Sequence, residues 1–233
     1  IREVSVTLSA RALTEGKVAP TSLEIIRPRI RLIRDTAGAF QFNMGAATAE
    51  PGTPSEPVAS GSGDVLALLL NELSGPAQTE SSLRYLNRVS VVGAALQLED
   101  RQLGIKWGAR HADITLERAR VGLRATFDLD VDLRTSRPEL HGEAVFDRSA
   151  KHVDVDIDFA RLNPGLLGDQ FAALGELKAL TAEFVGKGSL RITLGGDIER
   201  AEFNLKSGQG SFATPAASIP AYDFKSVTID GRL

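Results

Sequence analysis

Three histidines are all this chain offers for proton transfer near neutral pH. His111 stands two residues before Asp113, and His152 two before Asp154. In an extended strand, residues i and i+2 share a face. Either pair therefore sets an imidazole beside a carboxylate, half of a metal chelate. Asp128, Asp130 and Asp132 form an acidic row of the same kind, as do Asp154, Asp156 and Asp158, and such rows suggest calcium. Strand neighbours two apart lie about 6.5–7 Å from each other, and no loop encircles these rows as a calcium site needs. They read as the solvated side of amphipathic strands, with no metal.

Gly186-Lys187-Gly188-Ser189 has the flavour of a phosphate loop. That motif requires an earlier glycine at fixed spacing and a helix after it. Here Arg191-Ile192-Thr193-Leu194 continues as strand. Gly208-Gln209-Gly210 is equally weak, and no serine occupies a G-x-S-x-G elbow. The chain carries no catalytic constellation and no cofactor motif, and it reads as a non-enzyme.

The elements that hold these residues are more informative. From Val121 to Leu133 the chain runs VGLRATFDLDVDL. Val121, Leu123, Ala125, Phe127, Leu129, Val131 and Leu133 fall on one side of a strand, and charged or polar residues mostly on the other. Val153, Val155, Ile157 and Phe159 repeat the pattern against His152, Asp154, Asp156 and Asp158. So do Leu190, Ile192 and Leu194, and then Ala201, Phe203 and Leu205. Val92, Ala94, Leu96 and Leu98 line one face of an earlier strand, and Leu140, Ala144 and Phe146 one face of a later strand. Strands at such intervals, with turn residues between them, indicate an all-β, mainly antiparallel architecture with a few short helices.

Three regions are expected. Residues 1–45 read as a small β-meander, with Pro28 marking a sheet edge or a bulge. Residues 46–63 are rich in Pro, Gly, Ser, Ala and Thr and read as a linker or long loop. Residues 64–233 hold the main sheet. Within them Asp64 caps an apolar run, Val65 to Leu73, read as a short helix against the sheet or a lid over an apolar groove. Asn163-Pro164 opens a second helix, expected to run to about Leu174. The chain opens and stops inside strand patterns, so it is expected to be a piece of a longer protein.

Composition narrows the function classes. Twenty-seven basic residues against thirty acidic ones leave a net charge of -3, with no basic patch for nucleic acid. No cysteine is present, which excludes disulfides and thiolate metal sites. One Trp and two Tyr leave little to stack on a sugar and too few residues for the aromatic girdles of an outer-membrane barrel. No segment reaches the roughly 18 apolar residues of a membrane helix. What remains is extended apolar sheet surface, suited either to the inside of a closed β-sandwich or to an open groove. Periodicity alone favours the sandwich.

The stretch Gly16-Lys17-Val18-Ala19-Pro20, followed by Leu23-Glu24-Ile25-Ile26-Arg27-Pro28-Arg29-Ile30-Arg31-Leu32-Ile33-Arg34-Asp35 and then Gly38 and Phe40, resembles the N-terminal region of AsmA-like proteins. Asp100, Gly104 and Trp107, then Asp113, Leu116, Arg118 and Gly122, are similar to the body of the larger YhdP- and TamB-type members. The resemblance implies a periplasmic part of a protein anchored in the bacterial inner membrane. It implies a long curved sheet folded into an open trough, and so reverses the preference for the sandwich. The trough would conduct phospholipid acyl chains between inner and outer membranes and support envelope integrity, together with other envelope proteins. Its wall would comprise Val121, Leu123, Phe127, Leu129, Val131, Val153, Val155, Ile157, Phe159, Leu190, Ile192 and Phe203. The competing expectation is an envelope assembly module acting through protein contacts.

Overall fold

Alternation of apolar and charged residues favours extended chain, and in the computed structural model these extended segments join edge to edge. Residues 3–36, 40–45, 73, 83–101, 104–133, 136–170, 172–193, 198–213 and 221–232 are described. The elements are β1 (Glu3–Leu8), α1 (Ala10–Thr14), β2 (Pro20–Ile26), β3 (Arg29–Arg34), β4 (Phe40–Gly45), β5 (Arg88–Asp100), β6 (Ile105–Arg118), β7 (Gly122–Asp132), β8 (Glu139–Asp147) and β9 (His152–Leu162). There follow α2 (Pro164–Gln170), a 3-10 segment (Ala172–Ala179), β10 (Leu180–Thr181), β11 (Phe184–Thr193), β12 (Ile198–Ser207), β13 (Gly210–Phe212), β14 (Tyr222–Phe224) and β15 (Val227–Arg232).

Twelve strands form one sheet in the order β1-β2-β5-β6-β7-β8-β9-β11-β12-β15, with β3 also on β5 and β4 on β3. Its outermost strands do not pair with each other, so the sheet is open and no barrel forms. The described residues make one large open sheet and not the two large facing sheets of a sandwich. Strands β10, β13 and β14 make a separate three-stranded sheet.

Among the described residues pairing is antiparallel except on one edge of β5, where β2 and β3 both run parallel to it. The N-terminal region is therefore not a free-standing meander. β2 and β3 are two halves of one interrupted strand, and each carries its own antiparallel partner, β1 or β4. The interruption has a local cause. Arg27 takes φ 50°, and Pro28 has no N–H to give the ladder. Arg27 N donates to Val92 O (2.8 Å), and Pro28 O accepts from Ala95 N (3.0 Å), so the bulge is stitched to β5 on both sides. β5 answers with its own irregularity at Gly93, φ 63°, whose N–H donates to Asp113 Oδ1 (2.6 Å). This bulge shifts the phase of β5. Val91 joins Ala94 in the core, whereas Val92, expected beside Ala94, is 39% exposed.

The core lies on one face, chiefly over β5, β6 and β7. Ala94, Ala109, Ala112, Val91, Leu129, Val131 and Leu133 are buried there with Ile25 and Ile30. Leu73, the one described residue of the apolar run expected to be helical, is helical and fully buried. It packs with Leu86 and Val89 against Leu23, Leu116 and Leu123. The rest of that run and the 46–63 segment lie outside the described residues. α1 was not anticipated, although Ser9 is a good cap: its Oγ accepts from Ala12 N at 3.1 Å. The second expected helix starts as read, with Asn163 Oδ1 accepting from Gly165 N (3.0 Å). It ends at Gln170, short of Leu174, and the chain goes on as 3-10 turns.

Candidate functional site: an open apolar face

Register shows which side chains share a face. One row crosses ten strands: Val4, Ile25, Val91, Ile114, Phe127, Gly142, Ile157, Gly188, Phe203 and Gly231. The next row on one side reads Val6, Leu23, Val89, Leu116, Ala125, Ala144, Val155, Leu190 and Ala201. On the other side run Ala94, Ala112, Leu129, Leu140, Phe159, Gly186, Leu205 and Ile229. Leu123, Phe146, Val153, Ile192 and Ile198 form a further row. The first three of these rows contain no charged or hydrogen-bonding side chain; the fourth ends on β6 at Arg118, whose guanidinium donates to Leu86 O (3.4 Å).

Eleven of the twelve residues expected to line a trough thus share this face. Val131 continues the side of Leu129, and only Val121 stands apart. It precedes β7 in the turn, half exposed, with its carbonyl accepting from Arg148 N (3.0 Å). Burial along the face is graded. Leu129 and Val131 are buried; Leu123, Phe127, Val153, Val155, Ile157, Phe159, Leu190 and Ile192 are partly buried; Phe203 is 42% exposed. The face is sealed near β5 to β7 and opens towards β12 and, at the other margin, β1.

Glycines on the face carry a feature that strand periodicity passed over. Gly142 lies beneath the Phe127 ring: a Cβ there would come within 2.9 Å of Phe127 Cε2 and 2.5 Å of Asp156 O. At Gly231 a Cβ would come within 2.6 Å of Phe203 Cε2, and at Gly186 within 3.1 Å of Leu205 Cδ2. Rings that would otherwise stand off the sheet lie down over the glycine of the next strand, which lowers and smooths the floor. The apparent phosphate loop around Lys187 is explained in this way. Gly186 and Gly188 sit on the apolar face of β11, with Ile157 and Phe159 on one side and Phe203 and Leu205 on the other. The signal was present in the sequence, because each glycine falls in the apolar phase of its strand.

The reverse face is predominantly polar, with Ile26, Val92, Val145 and Val185 as apolar members. Asp113, Asp128, His141, Asp158, Lys187, Asn204 and Asp230 form one polar row. Ion pairs lace it: Arg110–Asp132 (2.7 Å), Lys187–Asp158 (2.8 Å) and Arg191–Asp154 (2.7 Å), with Arg88–Glu117 and Arg161–Glu139 in closer contact. The Arg191 guanidinium holds the Asp154 carboxyl below its ordinary range. Hydrogen bonds from Arg101 and Arg31, with help from Lys106, bring Glu99 down to about 2. Such exposed pairs add little stability one by one. Together they fix which side of the sheet meets water.

The histidines fall on this polar face. His111 lies 3.3 Å from Asp113, His152 3.1 Å from Asp154, and His141 2.9 Å from Asp128. The two pairs read from sequence do form, but among the described residues no third ligand joins either to make a metal-holding group. No described helix is long and apolar enough to cross a membrane. The chain matches no family model, no curated protein and no solved structure.

Proposed function

We propose that this chain is a segment of an AsmA-like, bridge-type envelope protein, and that its apolar face shields phospholipid acyl chains on their way between inner and outer membranes. In this reading the parent is anchored in the inner membrane and the segment works in the periplasm. It performs no covalent chemistry, and its ligands are acyl chains. The single observation that carries the reading is the ten-strand apolar row on an open sheet, half exposed at its margins. At about 4.8 Å per strand, nine spacings give a floor about 43 Å long.

The energetics support a path of this kind. Moving a two-chain lipid through water exposes on the order of thirty CH₂ groups, a barrier of roughly 25 kcal/mol at about 0.8 kcal/mol each. A continuous aliphatic floor removes most of that cost. Because the three long rows offer no polar side chain, they give an acyl chain no fixed register, and sliding stays easy. The reclining Phe127 and Phe203 rings leave no ridge across the lane.

Photo-crosslinking tests this directly. Benzoylphenylalanine at Ile157 or Leu129 should capture phospholipid in cells, and at Asp156 or Asp130, one residue away on the polar face, it should not. Ile157 is the better probe site of the first pair, since Leu129 is buried. Equal capture from both faces, or none from Ile157, overturns the proposal.

A further inference from the structure

A phospholipid whose tails lie on the floor must carry its headgroup over one rim of the sheet, and the two rims differ in charge. At one rim stand the β6–β7 and β8–β9 turns, beside the fourth row of the floor, where Leu123, Phe146 and Val153 follow Arg118. The turns form one patch, because Arg148 N of the second donates to Val121 O of the first (3.0 Å). Residues 117–124 hold three arginines and one acid, and residues 147–152 hold Arg148 and Lys151 with one acid, Asp147. Both acids are engaged. Glu117 pairs with Arg88, and Asp147 Oδ1 accepts from Ser149 N (2.8 Å), Ser149 Oγ (2.6 Å) and Ala150 N (3.1 Å). Arg124 belongs to the polar face, where it pairs with Glu143 (3.4 Å). Arg120 and Lys151 are exposed at the turns themselves. The β5–β6 and β7–β8 turns lie at the opposite rim, and their charges cancel: residues 99–106 and 132–139 each hold two acids and two bases. A chain of net charge -3 thus gathers positive charge along one side of its floor.

We propose that these two turns bind the phosphate of a glycerophospholipid, chiefly through Arg120 and Lys151 with Arg118 and Arg148 beside them, and that they favour a lipid of net negative charge. The inference deepens the acyl-chain reading and rests on it. A guanidinium matches phosphate oxygens with paired N–H donors, and lysine adds a mobile point charge. Leu123 and Phe146 are paired neighbours immediately inside the turns, so one lipid can use both surfaces, tail on the floor and phosphate on the rim. Attraction through charge fixes no single geometry, which suits a headgroup that must move along with sliding tails. Both turns join consecutive strands within the chain. A strand added beyond β1 or β15 would extend the sheet and leave this rim as it is.

Pyrene-labelled phosphatidylglycerol and pyrene-labelled diacylglycerol with the same acyl chains separate headgroup from tail. Each is supplied in phosphatidylcholine vesicles at low, fixed ionic strength, and binding is read from the loss of excimer emission. The chain should bind the phosphatidylglycerol at least about tenfold more tightly than the diacylglycerol. Arg120→Gln/Lys151→Gln, with its β-sheet circular dichroism intact, should bind both with the diacylglycerol affinity. Inorganic phosphate exchanged for chloride at constant ionic strength should leave the parent's preference in place. Equal binding of the two lipids by the parent, or a folded variant that keeps the preference, overturns the headgroup site and leaves the floor standing. Loss of the preference to inorganic phosphate assigns the turns to free phosphate and also overturns the site. Binding of neither lipid overturns the floor and the headgroup site together.

Discussion

Replacing Gly142 by alanine adds one methyl group to the floor, and the structure says where that methyl goes. It would sit 2.5 Å from the carbonyl oxygen of Asp156 on β9 and 2.9 Å from Cε2 of Phe127 on β7. The carbonyl is main chain of the neighbouring strand, and the ring rests on the glycine, so neither yields without moving others. Overpacking of this kind costs about 1–3 kcal/mol. Gly188, two strands along in the same row, gives the opposite case. Its Cβ would find only Glu202 O, at 3.8 Å. Alanine there relieves the entropic cost of glycine in a strand and should stabilise by about 0.5–1 kcal/mol. With a urea slope near 3 kcal/mol per molar, the midpoint should fall by roughly 0.3–1 M for Gly142→Ala and rise by roughly 0.2–0.3 M for Gly188→Ala. Equilibrium urea unfolding followed by circular dichroism reads both. A Gly142→Ala chain as stable as the parent, or a Gly188→Ala chain weakened to the same degree, refutes the picture of rings lying in glycine sockets.

Two further outcomes follow from the same structure. Leu73→Ala removes a fully buried side chain that covers Val89, Leu116 and Leu123 at one end of the floor, and should cost about 2–5 kcal/mol in the same assay. Glu99 has its folded pKa depressed from 4.5 to about 2, so its contribution to stability is complete above pH 4.5 and is lost as the pH falls towards about 2. Glu99→Gln should therefore unfold more readily than the parent at neutral pH and match it near pH 2. A difference that persists unchanged at acid pH contradicts the assigned role of Arg101, Arg31 and Lys106.

Strand content was legible because period-two alternation leaves one consistent solution over long runs such as Val121 to Leu133. The shared face of Leu123, Phe127, Leu129 and Val131 with Val155, Ile157, Leu190 and Phe203 was legible for the same reason. The phase of β5 was not, because a single positive-φ glycine at position 93 reverses the faces after it, and alternation counted across it puts Val92 where Val91 belongs. Parallel pairing of β2 and β3 on β5 was hidden too. It depends on contacts between residues some sixty positions apart in sequence, and nothing local encodes them. Ile105 to Arg118 is one long strand, with a register shift between Ala109 and His111. Strand β14 was passed over because three residues are too few to show a period.

The proposed role can be tested on the isolated chain. Native mass spectrometry after mild purification from a bacterial host should reveal a population carrying the mass of a two-chain phospholipid. Val155→Asp, a charge in the middle of the floor, should lose that population while keeping its β-sheet circular dichroism. A parent chain that emerges free of lipid, or a folded Val155→Asp chain that retains the same adduct, would contradict an acyl-chain floor.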